Sequence, residues 1–99
     1  MKVQYLPPVS VEALEAVRCY KAIDPKLAVR LTQEFEAAIS RIMHFPLGWK
    51  PLGENLRQCT LKGFPYVVIY AARADNIVIV ALANTHRRPH YWRDRLLGL

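Results

Sequence analysis

The sequence predicts an α+β fold: an N-terminal helix hairpin packed on one face of a small antiparallel sheet, in the order β-α-α-β-β-β with a short C-terminal helix possible. Two observations carry this. Between residues 10 and 43 apolar side chains recur at intervals of three and four, the period of a helix. After residue 56 the pattern changes to short β-branched and aromatic runs separated by turn residues.

Lys2–Leu6 alternates polar and apolar residues and suits a short strand, which Pro7-Pro8 then breaks. Ser10 can cap a first helix over residues 10–22, with Ala13, Leu14, Val17 and Tyr20 on its apolar side. Glu12 and Glu15 then lie near its positive end. Asp24-Pro25 starts a second helix, because Asp accepts from free N–H groups and Pro lacks a donor where none is needed. Leu27, Leu31, Phe35, Ile39 and Ile42 give residues 25–43 one apolar stripe, with Arg30, Gln33, Glu34 and Arg41 on the outer face. The short joint between the helices predicts an antiparallel hairpin.

Phe45–Gly53 has two Pro and two Gly in nine residues and reads as a loop, held down by Phe45, Leu47 and Trp49. Leu56–Leu61 is a strand ending at the Lys62-Gly63 turn. Phe64–Ala72, FPYVVIYAA, is apolar at both parities and reads as a central strand covered on both faces, with Pro65 at its start. Ala74-Asp75-Asn76 turns the chain into another buried strand, Ile77–Ala83, completing an antiparallel meander.

At 99 residues the chain is expected to form one domain, residues 1–99. Hydrophobic residues at 53% and charged residues at 22% exclude a mainly disordered chain. No apolar run approaches the roughly 18 residues of a membrane span, so no membrane partner is expected. The N-terminal MKVQYLPPVS lacks a signal-peptide core, which points to the cytoplasm. Cys19 and Cys59 stand forty residues apart with no clustered histidine. Both read as packing thiols, and neither a metal site nor a cofactor is expected.

The net charge is +6, and it is unevenly placed. Residues 1–56 carry seven basic and six acidic groups, whereas residues 57–99 carry seven and two. A basic half suggests an acidic partner, although a charge of this size also serves solubility alone. The excess peaks at Thr85–Arg95, where four Arg, two His, one Tyr and one Trp fall within eleven residues. Guanidinium groups can hold phosphates, and aromatic rings can stack on exposed bases. The competing reading has Tyr91 and Trp92 anchor the tail on the sheet, with His90 an exposed bystander.

The pieces KVQYLP, LAVRLTQEFEAAISRI, FP, FPYVVIY, IVIVALANTHRRP and YW, in this order over essentially the whole chain, resemble the RelE/ParE superfamily of toxins from bacterial type II toxin–antitoxin systems, nearer its ParE-like branch. The resemblance implies a toxin of a plasmid-stabilisation module that causes growth arrest and is neutralised by a cognate antitoxin. ParE-like members poison DNA gyrase, RelE-like members cleave mRNA on the ribosome, and some have no established target. The antitoxin-contacting residues are not legible, although the hairpin leaves apolar grooves suited to a partner helix.

A nuclease would draw on His86, Arg87 and Tyr91 for proton transfer and charge stabilisation. Arg87 and Tyr91 roughly match an Arg and a Tyr of the RelE-like C-terminal segment. The match fails at the centre, because Val67 stands where that branch has a basic residue on the central strand, and the preceding strand offers only Arg57. Losing one such charge costs about 2.7–4 kcal/mol by analogy with oxyanion-site donors. Tyr66 and Tyr70 share a face of the central strand and can stack on bases or pack in the core. The reading favoured is a gyrase-binding toxin whose target surface is Arg57, Arg73, Arg87, Arg88, Arg93 and Arg95. The alternatives are a ribosome-dependent endoribonuclease, which alone would make it an enzyme, and a non-toxic relative that keeps only antitoxin binding.

Overall fold

The structure, a computed structural model, describes residues 2–98. Strand β1 (Lys2–Tyr5) leads into helices α1 (Pro7–Ile23) and α2 (Pro25–His44), followed by β2 (Lys50–Gly53), β3 (Leu56–Thr60), β4 (Tyr66–Ala72) and β5 (Asn76–Asn84). A short 3₁₀ helix, Arg93–Gly98, closes the described chain. The five strands form one sheet in the order β1-β5-β4-β3-β2. The β2–β5 strands pair antiparallel, as the meander requires, while β1 joins β5 in parallel and makes the sheet mixed.

Helix α1 begins one turn earlier than Ser10 would place it. Pro7 and Pro8 occupy its first turn, where the missing N–H groups have no helical partner in any case. Ser10 therefore caps nothing, and its hydroxyl donates to the Pro7 carbonyl at 3.1 Å. The earlier start rotates the reading of the helix. Val9 and Ala16 are buried with Glu12, Ala13, Val17 and Tyr20 beside them, while Leu14 is half exposed. Helix α2 starts as expected, with the Asp24 carboxylate accepting from Lys26 N at 3.0 Å.

Two residues assigned to the outer face of α2 turn inward. Glu34 accepts from Arg41 at 2.6 Å and from the backbone N of Lys62 at 2.6 Å, tying α2 to the β3–β4 turn. Burial pushes the Glu34 carboxyl up, but these hydrogen bonds outweigh it and hold it below the ordinary carboxylate range. Gly63 in that turn has φ +82°, a conformation that costs a glycine little.

The segment read as a loop contains a strand, β2, on the outer edge of the sheet. Pro51 is tolerated there because an edge strand leaves one side of its backbone unpaired. Phe45 and Leu47 do not hold the segment down, being 67% and 71% exposed. Trp49 does so by donating to the Arg41 carbonyl, and the buried Tyr70 hydroxyl does so by donating to the Pro46 carbonyl at 2.6 Å. Cys59 is buried as expected, but Cys19 is exposed.

The helices cover one face of the sheet, where Tyr66, Val68, Tyr70, Ile77, Ile79 and Leu82 meet Val9, Ala16, Leu31, Ala38 and Ile42. Tyr66 and Tyr70 are thus core residues rather than a stacking platform. The open face carries Leu56, Ile69, Ala71, Val78, Val80, Ala81 and Ala83. A bulge lies between the two sets on β5. Ile69 pairs with Ala81 and Tyr70 with Ile79, leaving Val80 as the extra residue, so that Val80 and Ala81 both face the open side. No helix among the described residues is long and apolar enough to cross a membrane.

Candidate functional site

After β5 the basic segment turns at Asn84, whose side chain accepts from His86 N at 2.8 Å. It then runs back over the open face. Trp92 is buried against that face, with Tyr91 and Leu96 partly buried beside it. The two aromatic residues are therefore anchors. His90 is exposed, with φ +62°, and its ring meets the edge of Trp92 at 5.4 Å.

Between this segment and the sheet lies an open hollow of about 270 Å³. Its floor is apolar, made by Leu52, Val67, Ile69 and Ala83. Its polar groups are on the rim, where Arg87, Arg88 and His90 stand with Gln58. The position at which a ribonuclease of the superfamily would carry a cation is the half-buried Val67.

The three residues considered for proton transfer are only partly brought together. The Arg87 guanidinium lies 3.7 Å from the centre of the Tyr91 ring. His86 is exposed and lines neither the open-face hollow nor the cleft beside α1. The Tyr91 hydroxyl points into that cleft and donates a hydrogen bond to Glu12. Burial, reinforced by this bond to Glu12, pushes the phenol up to about 12, so it is fully protonated at neutral pH.

The six arginines proposed as a target surface do not form one patch. Arg87 and Arg88 flank the hollow. Arg73 and Arg93 lie at the opposite end of the sheet, where Arg73 borders the β2–β3 turn and Arg93 reaches Glu54 in that turn at 3.8 Å. Arg57 shares the helix-side parity of Cys59 and donates to the Trp49 carbonyl at 2.8 Å. Arg95 is bound in a fork to Glu12, at 2.9 and 3.0 Å, and also donates to the Val80 carbonyl at 3.0 Å. The Glu12 hydrogen bond keeps its guanidinium charged, above the ordinary arginine range.

Glu12 is the residue that sequence reasoning missed at this site. Placed near a helix N-terminus, it reads as a dipole-favourable surface charge. With the helix started at Pro7, it falls instead on the buried stripe Val9, Glu12, Ala13, Ala16. A lone acid in such a stripe signals a buried partner.

A helix hairpin followed by a meander, with a basic tail folded over the open sheet face, defines the class: the ParE-like toxin fold. Among solved structures, the fold is similar to a chain of a chromosomal ParDE toxin–antitoxin system from P. aeruginosa. The TM-score is 0.68 at 13% identity, covering 87% of this chain and 97% of that one. No protein of curated function is similar enough in sequence to be matched. The sequence model for the ParE toxin of type II toxin–antitoxin systems, parDE, matches residues 12–89, and the chain belongs to that family. It is a toxin component of the type II toxin–antitoxin class.

Proposed function

We propose that this toxin acts by binding rather than by cleavage, as a ParE-like inhibitor of DNA gyrase in the cytoplasm, and that residues 1–99 act as one unit. The observation that carries this is the composition of the hollow. Its floor is Val67, Ile69 and Ala83, so the central strand brings no cation to meet a developing phosphorane charge. The nearest phenol is committed to Glu12 and holds its proton tightly. The cations Arg87 and Arg88 stand on the rim, where they suit an acidic protein surface or a DNA backbone.

A cognate antitoxin is the second partner in this reading. The groove between α1 and α2, lined by Ala13, Leu14, Val17, Leu31 and Phe35, holds about 240 Å³ and is almost wholly apolar. Exposed Val11, Leu14 and Val29 extend the apolar surface of the hairpin. An amphipathic antitoxin segment fits such a groove by the usual helix-in-groove mode.

The test is a supercoiling assay with purified gyrase and the purified toxin. Inhibition that antitoxin reverses supports the proposal. Intact supercoiling, together with mRNA cleavage on ribosomes, favours the nuclease reading instead.

A further inference from the structure

We propose that Glu12 is the positioning residue of the C-terminal basic segment: its carboxylate latches Tyr91 and Arg95 onto the uncovered edge of β5, and so fixes where Arg87 and Arg88 stand. The functional half of this proposal rests on the toxin reading above. The structural half does not.

Strand β1 is only four residues long. Its pairing with β5 ends at Tyr5 opposite Ile79, and Leu6 N adds a last bond to the Ile79 carbonyl at 3.0 Å. From Val80 onward the outer edge of β5 has no neighbouring strand among the described residues, so its backbone groups need other partners. They find them in two side chains. Leu82 N donates to Glu12 Oε1 at 3.1 Å, and the Val80 carbonyl accepts from Arg95 Nη1 at 3.0 Å. A carboxylate from α1 and a guanidinium from the tail thus continue the edge that β1 leaves open, and the bulge at Val80 sits at the changeover.

The two side chains also bind each other. Oε1 of Glu12 takes Leu82 N and Arg95 Nη1, while Oε2 takes Arg95 Nη2 and the Tyr91 hydroxyl. A carboxylate offers about four such acceptor positions, so Glu12 is saturated. Its side chain is 9% exposed and that of Arg95 18%, which makes each the other's required counter-charge. Tyr91, held by its hydroxyl, presents its ring to the Arg87 guanidinium 3.7 Å away. One carboxylate therefore sets the position of the anchor residue on which a rim cation stacks.

The experiment is hydrogen exchange on the full chain with Glu12→Gln, which keeps the shape but replaces one acceptor by a donor and removes the charge. The latch requires the amides of Leu82, Arg93 and Arg95 to exchange at least tenfold faster, while amides that bond between β4 and β5 change by less than twofold. Unchanged tail amides overturn the proposal. So does an equal acceleration at every amide, which marks Glu12 as a general contributor to stability. If Glu12→Gln does not fold, Arg95→Gln makes the same comparison from the other side, because it leaves the Glu12–Leu82 bond in place.

Growth arrest by the same variant tests the functional half. A released tail should raise the inducer dose for arrest at least tenfold. A released tail with wild-type arrest overturns the positioning role. If the wild-type protein itself fails to arrest growth, the toxin reading has failed, and the exchange pattern alone decides whether Glu12 is the latch.

Discussion

Replacing Tyr91 by Phe separates a structural phenol from a chemical one. The substitution removes the hydroxyl that donates to Glu12 and keeps the ring on which Arg87 stacks. A hydrogen bond to a charged acceptor is worth about 1.5–3 kcal/mol. Glu12 retains both Arg95 bonds and the Leu82 bond, so its charge stays paired and the loss belongs at the lower end of that range. A small domain begins with about 5 kcal/mol or more, so the variant remains more than nine-tenths folded. Urea unfolding should therefore show a loss of about 1.5 kcal/mol, and growth arrest should occur at close to the wild-type inducer dose, because Arg95 still ties the segment to Glu12 and the Val80 carbonyl. A catalytic phenol behaves oppositely, since removing a general acid or base costs about 10²–10⁴ in rate. Unchanged stability with a hundredfold loss of toxicity would refute the binding account.

Tyr70 and Tyr91 are both pushed up to about 12 by burial, so both hold their protons in the fold above the point where free tyrosines lose them. Their contribution to stability is complete below about pH 10, the unfolded value, and is lost as pH rises through about 12. An ultraviolet titration should show these two ionising last, together with unfolding. Glu34 has the opposite sign, because its carboxyl is held low. Its contribution is present above the ordinary carboxylate range and falls as the pH drops through its lowered folded value, so Glu34→Gln should flatten the acid limb of the stability profile. Tyr70→Phe leaves the Pro46 carbonyl without its donor and should cost about 1–2 kcal/mol in urea unfolding. Charge reversal at Arg87 and Arg88 should weaken growth arrest by degrees and cost no more stability than the Arg87–Tyr91 stack, about 0.5–1 kcal/mol, whereas reversal at Arg95 should destabilise the protein outright.

The helix hairpin and the meander were legible because their signals are local. Leu31 and Ile42 recur at helical spacing, and Val68, Ile69, Val78 and Val80 form the apolar runs of covered strands. Strand β2 was hidden by Pro51 and Gly53, residues that mark loops except at a sheet edge. The parallel pairing of β1 with β5 joins residues more than seventy positions apart, and no local pattern encodes it. The site was legible as a cluster but not as an arrangement. Arg87 and Tyr91 do meet, and Trp92 is the anchor its apolar bulk suggests. Arg95 looked equivalent to Arg88 in sequence, and only the fold reveals that an acid on α1 and a bulge on β5 bury it. The clue is Glu12, which is a surface charge if Pro7-Pro8 only ends the strand and part of the buried stripe if the two prolines start the helix.

Binding to a DNA-directed machine, as proposed, and cleavage of RNA would stop different processes first. A pulse-labelling time course after inducing the toxin alone, with DNA and protein synthesis followed in parallel, separates them. A binding toxin aimed at gyrase should stop DNA synthesis first, with filamentous cells and protein synthesis continuing. Collapse of protein synthesis within minutes while DNA synthesis continues would contradict the account and place chemistry at the Arg87–Tyr91 rim despite the apolar floor.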